Sequence, residues 1–299
     1  MRCGRNRRDA AHRAFFRAMK PSLPRDARIW QIAFQAILLT VGVLARDFSL
    51  AASQMALCFA AGLAAQALWV RALGLKGVGT LSAAITCFGL SLLVRADSLW
   101  VHPLAAVLAI SAKFTLRVGG KHVFNPANLG VVAAVTLLPG AWISPGQWGS
   151  DLALAAWFVA LGGLVASRAQ RADTSWIFLA AYLGLIGLWT LWLGKSLESW
   201  LHHLQNGALL LFAFFMISDP MTTPNRRCAR ILHALGVAAL AFAWQFLLYK
   251  PNGLIWALFL CAPLVPLLDR WLPGERFRWD GTAQPAATIA RKDSWSTAR

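Results

Sequence analysis

FFMISDPMTTPN, residues 214–225, carries an apolar run directly into an acid and a helix-breaking proline. Such a junction is either a plain connector or a binding site at a membrane surface, and the choice depends on what surrounds it. Of the 299 residues, 58% are hydrophobic, 15 are Trp and only 14% are charged. A soluble domain carries about a quarter charged residues, so the composition points to an integral membrane protein. Bilayer-crossing helices need roughly 17–25 apolar residues. Ten runs approach that length: 29–45, 52–70, 78–94, 98–116, 127–141, 151–167, 175–193, 200–217, 230–248 and 254–268. The expectation is an all-α integral membrane protein with about ten transmembrane helices.

The net charge of +17 raises nucleic acid as a partner, but its distribution argues against it. With ten crossings both ends share a side, and that side takes every Lys and Arg except Arg46, Arg95, Lys195 and Lys250. This is the positive-inside pattern, and it predicts a multi-pass inner-membrane protein with both termini in the cytoplasm. The basic arm 1–28 suits an anionic lipid surface, the membrane domain spans 29–271, and the polar segment 272–299 reads as a disordered cytoplasmic tail. Trp100, Trp142, Trp148, Trp189, Trp192, Trp200 and Trp256 near one set of helix ends, with Trp30, Trp176 and Trp271 near the other, fit interfacial anchors. The five cysteines have no metal-ligand spacing, so neither a zinc site nor a disulfide framework is expected. No HExxH, Walker A, GxSxG or dinucleotide fingerprint is present. His102 and the pair His202-His203 could relay protons, but their places near helix ends favour interfacial roles.

Two loops on the basic side differ from ordinary connectors. RVGGKHVFNPANLG (117–130) and ISDPMTTPNRRCAR (217–230) each set a short polar residue before proline, at Asn125-Pro126 and Asp219-Pro220. Proline lacks an N–H and biases its predecessor away from helix, so exposed backbone is expected at the membrane edge. Asn or Asp before Pro also makes a good helix N-cap, the simpler reading. The functional reading uses the same geometry: free N–H groups for a ligand, with Gly119 and Gly120 permitting close approach. Lys113, Arg117, Lys121, His122, Arg226, Arg227 and Arg230 gather nearby. Most of these fit topology and snorkelling, and phosphate or anionic-lipid binding is the lesser alternative.

GGKHVFNPANLG (119–130), FAFFMISDPMTTPN (212–225) and LCAPLVPLLDRW (260–271) together resemble the NqrB/RnfD family of membrane subunits, found in the sodium-pumping NADH:quinone oxidoreductase and in the Rnf electron-transport complex. The resemblance covers roughly residues 28–271. It implies two inverted five-helix repeats whose X-Pro loops flank a central site. It also implies membrane redox partner subunits, and a cytoplasmic-side flavin or quinone near Gly119, Gly120, Asn125, Pro126, Asn128, Asp219 and Pro220. Redox-active relatives carry an S-G-A-T segment, whose threonine is esterified to FMN, in the outer loop after the F-N-P-A helix. Here that loop reads LLPGAWISPGQWGSDL (137–152), without such a threonine, and S-G-A-T occurs nowhere in the chain. A non-covalent flavin or quinone, and no covalent FMN, is therefore expected. A transporter or channel-like module for a small solute, without redox chemistry, is the competing expectation, and a scaffold for membrane redox proteins a weaker third.

Overall fold

The chain is described by a computed structural model covering residues 26–45, 48–144, 152–204 and 206–277. Most of the basic arm, the tail beyond 277 and the loop segment 145–151 lie outside the described residues.

Helices account for nearly all of the regular structure. The first half holds α1 (Ala27–Ala45), α2 (Ala52–Ala72), α3 (Leu81–Leu93), α4 (Val101–Thr115) and α5 (Pro126–Leu137). In the second half α6 runs from Leu152–Trp157 through a π-helical turn, Phe158–Gly162, into Gly163–Arg168. It is followed by α7 (Ala172–Trp192), the short α8 (Leu197–Leu204), and α9, which runs from Gly207–Leu211 into a second π turn, Phe212–Met216. Next, α10 (Arg227–Phe242) ends in a third π turn, Ala243–Leu247, and α11 (Gly253–Cys261) and α12 (Leu264–Trp271) complete the described helices.

Nine of the ten apolar runs fall on one of these helices or on the bent pair of α11 and α12, and the run 200–217 crosses from α8 into α9. By length and composition, however, only α1, α2, α7 and α10 among the described residues are long and apolar enough to cross a membrane, or five spans with α11 and α12 taken together across their 47° bend. The remaining apolar helices are shorter for a physical reason. At 1.5 Å per residue, the 12 residues of α5 cover about 18 Å, well short of a hydrocarbon core of about 30 Å. Backbone beyond such a helix needs hydrogen-bond partners, because lipid offers none. Two small ladders, not anticipated from the sequence, provide some of them. Strand β1 (Val94–Ala96), directly after α3, pairs antiparallel with β4 (Ala141–Ile143), shortly after α5. Strands β2 (Arg117–Val118) and β3 (Lys121–His122) form a hairpin between α4 and α5. Its two turn residues, Gly119 and Gly120, both have positive φ, at 54° and 72°, which glycine adopts without steric cost.

Helix packing follows a pattern that recurs. In the first half α1 packs on α3, α2 on α4, and α4 on α5; in the second, α6 packs on α9, α7 on α10, and α10 on α11. The halves meet where α1 touches α6 and α5 touches α11. All five residues of the π turn in α9 are buried, so the centre of the molecule is built around this helix. Gly162 allows α6 to reach it: a Cβ there would lie 2.7 Å from the Cβ of Phe214.

Candidate functional site between the X-Pro loops

Asn125 is extended, with φ −61° and ψ 123°, and its side chain accepts a hydrogen bond from the N–H of Asn128, with Pro126 in the first turn of α5. This is the N-cap geometry that the sequence suggests. The amide has a second role. Its Nδ2 donates to Asp219 Oδ2 at 3.3 Å and to the carbonyl of Met216 at 3.4 Å. Met216 ends the π turn of α9, so Asn125 joins the start of one short helix to the end of another.

Asp219 organises the chain that follows it. Its Oδ1 accepts from the N–H of Met221 at 2.9 Å, and its carbonyl accepts from the N–H of Thr222, the N–H of Thr223 and the Thr223 hydroxyl. Burial raises the Asp219 carboxyl above the usual carboxylate range, opposed by the hydrogen bond from Met221 and by the charges of Lys121 and Lys113.

A cavity of about 140 Å³ opens beside this contact. Asn125, Pro126, Asp219 and Pro220 line it; among the other sequence-derived candidates, Gly119, Gly120 and Asn128 do not. Gly120 faces Arg117 and Arg276, and the Asn128 amide donates to the carbonyl of Ile255, tying α5 to α11. Phe214, Phe215, Met216 and Leu211 supply an apolar wall, while Gln35, Lys113 and His122 supply polar groups. Gln35 is only 4% exposed, and its Oε1 has no hydrogen-bond partner, as is also true of Nδ1 of His122. Such buried polar atoms are uncommon, because leaving one unmet costs about 1–3 kcal/mol. Lys113 is held by Gln66 Oε1 at 2.9 Å and Ser82 Oγ at 2.5 Å. Burial, reinforced by the charges of Lys113 and Arg117, pushes His122 down to about 3, so its imidazole is neutral at pH 7.

Helices α1 and α3 contribute lining residues that the motif reading missed. Arg28, Gln31 and Gln35 are spaced three and four apart on α1, and Ser82, Thr86 and Gly89 four and three apart on α3. That spacing sets each group on one helix face, a periodic signal visible in the sequence.

A second network ties together the loops that carry the site. Lys121 Nζ donates to Asp269 Oδ2 at 2.8 Å, to the carbonyl of Thr223 and to Asn225 Oδ1 at 3.3 Å. Asp269 Oδ1 accepts from the N–H of Asn225 at 2.7 Å. Burial lowers Lys121 from the usual lysine value, and the Asp269 carboxylate works against that shift. Arg171 Nε donates to the Thr223 hydroxyl at 3.0 Å, and Arg230 grips Asp173 through Nε and Nη2, the latter at 2.6 Å. Asp269, the acid of the L-L-D motif, thus meets the G-G-K motif and the loop after S-D-P. All three quoted motifs converge on one end of the molecule.

A helical membrane protein whose short helices break at paired Asn-Pro and Asp-Pro loops around a small polar cavity is the class defined by this arrangement. Residues 142–278 match the model of the family described as "NQR2, RnfD, RnfE family". The chain is 28% identical to the RnfD protein of the ion-translocating oxidoreductase complex of Stutzerimonas stutzeri, over 57% of this chain and 68% of that protein. It is 25% identical to the protein of the same name from Pseudomonas aeruginosa (strain LESB58), over 54% and 66%, and 28% identical to that of Escherichia fergusonii, over 43% and 32%. It thus spans about a third to two thirds of the length of these curated relatives. The resemblance carried by the motifs is borne out: residues 142–278, a little under half of the chain, match the NQR2/RnfD/RnfE family, and the curated relatives it is similar to are RnfD proteins.

Proposed function

We propose that this chain is an integral membrane subunit of an Rnf/Nqr-type electron-transport complex, and that the cavity beside the Asn125–Asp219 contact takes a non-covalent flavin or quinone ring. The observation that carries this reading is the cavity itself: an aromatic and aliphatic wall opposite polar groups, with Gln35 Oε1 and His122 Nδ1 buried and unpartnered. A planar ring with carbonyl and N–H edges suits such a lining, and when bound it would supply reversible electron transfer. Pro126 and Pro220 stiffen the two loops, the Asn125 bridge holds them together, and the phenylalanines exclude water. Lys113, on the same lining, would offer a positive charge to such a ring when it is bound.

Both termini and the loops 117–125 and 218–229 face the cytoplasm in this reading, in an inner membrane crossed ten times. The recurring helix pairing supports two inverted five-helix repeats, since an odd number of crossings turns the second half over. Cys228 is exposed in the second loop, so an impermeant thiol reagent should label it from the cytoplasmic side only. Labelling from the periplasmic side of intact spheroplasts would refute the orientation.

Purified protein is expected to release a flavin or quinone on denaturation and to show no covalent flavin. A fluorescent band surviving denaturing electrophoresis, with flavin mapped to a peptide of this chain, would sink the non-covalent part. Protein that repeatedly carries no visible or ultraviolet-absorbing ligand would favour the second reading, a channel-like or transporter module for a small solute. That reading has one observation of its own. A cavity of about 130 Å³ at the opposite end of α9, lined by Tyr182, His203, Asn206, Gln245 and Asn252, shares Leu93 and Met216 with the first.

A further inference from the structure

The cations gathered on the loop face are not equivalent. Lys121 is committed to Asp269, Arg230 to Asp173, and Lys113 to Gln66 and Ser82. Two guanidiniums are placed differently. Arg117 Nη2 donates to the carbonyl of Gly120 at 2.7 Å, and Arg276 donates to that same carbonyl from the segment after α12. Neither forms an ion pair with a carboxylate among the described residues. Two like charges therefore converge on one neutral oxygen, with most of their N–H donors unused among the described residues.

From this geometry we infer a phosphate-binding site at the tip of the β2–β3 hairpin, formed by Arg117 and Arg276 and filled by the headgroup phosphate of an anionic phospholipid. A guanidinium matches phosphate oxygens with parallel N–H donors, and an anion between the two removes their mutual repulsion. Arg117 is in fact held below the ordinary arginine value, first by burial and then by the charge of Arg276. The surroundings select a lipid as the source of the phosphate. The hairpin leaves the apolar helix α4 after only one residue, and the flanking Leu116 and Val118 are 44% and 53% exposed. Two apolar side chains bracketing an arginine suit the headgroup boundary, where acyl chain and phosphate are both within reach. Gly120 is part of the site's construction: a Cβ there would lie 2.6 Å from a guanidinium nitrogen of Arg276.

The experiment uses the full chain, purified and delipidated in detergent, with its thermal midpoint followed during titration with phosphatidylglycerol. Parallel titrations use phosphatidylcholine and inorganic phosphate. A saturable upward shift is expected with phosphatidylglycerol, and a much smaller one with either of the others. R117Q/R276Q should need at least tenfold more phosphatidylglycerol for half the shift, whereas K76Q, an exposed cation elsewhere, should match the unmodified chain. R117K/R276K keeps both charges and guards against misfolding; its half-point should fall between those two. Wild-type half-points in both double variants would overturn the site. Inorganic phosphate alone giving the full shift, in the unmodified chain but not in R117Q/R276Q, would overturn the lipid assignment and leave a soluble phosphate as the occupant.

Discussion

Asp269→Ala is expected to be the most damaging single substitution on the loop face, at about 3–5 kcal/mol of stability. Asp269 faces Lys121 at 2.8 Å and opposes the lowering that burial imposes on it, and the two side chains are just 8% and 17% exposed. Removing the acid strands a buried ammonium and also frees the N–H of Asn225 from its 2.7 Å acceptor. Detergent-solubilised protein should unfold on the order of 10 °C lower, taking a few degrees per kcal/mol for a chain of this size. Lys121→Met combined with Asp269→Leu should recover a large part of the loss, because a paired charge replaced by apolar groups leaves nothing uncompensated. An Asp269→Ala protein as stable as the unmodified chain would show that the three motifs meet without holding one another.

The Asn125–Asp219 bridge should be next in effect. Asn125→Ala removes an N-cap, which costs about 0.5–2 kcal/mol, and leaves Asp219 Oδ2 without this donor, at about 1–3 kcal/mol more. Asp219→Ala strips the acceptor from the Met221 N–H and from the Asn125 amide. Thr222→Ala removes a hydroxyl that makes a 3.4 Å contact to the Asp219 carbonyl and a hydrogen bond to its carboxyl, but leaves the Asn125 bridge in place and should cost less. Because Asn125 and Asp219 are in contact, the double variant should lose less than the sum of the two single changes. Thermal midpoints of the four proteins provide the test. Strict additivity would mean that the two loops act independently, and a ligand in the cavity would then need another explanation.

The features most legible in the sequence are those that repeat or break a rule. Apolar runs with few charges locate the helices, and Asn-Pro and Asp-Pro, each an exception within such a run, mark the two loops that meet. The Gly119-Gly120 pair reads as a place where a ligand could approach, whereas its positive φ values serve a tight hairpin turn and Gly120 receives two arginines. The local signal for the two uses is the same, since glycine supplies both. Asp269 is visible as the end of a motif, but its role depends on Lys121, 148 residues earlier, and no local pattern encodes such a partner. The π turns are also hidden. They are single wider turns inside otherwise regular helices, and their residues, such as Phe212–Met216, look like any apolar stretch.

The long reach of the Lys121–Asp269 pair bears on how the protein is made. Chains leave the ribosome at about 5–20 residues per second, so Lys121 precedes its counter-ion by roughly 7–30 s. The G-G-K hairpin therefore enters the membrane environment with its lysine uncompensated, and it can close only after the last helix has been synthesised. Completion of this end of the molecule is thus a late event in biogenesis. A nascent chain truncated before residue 269 would present an open, positively charged loop face, distinguishable from the finished protein by its sensitivity to protease.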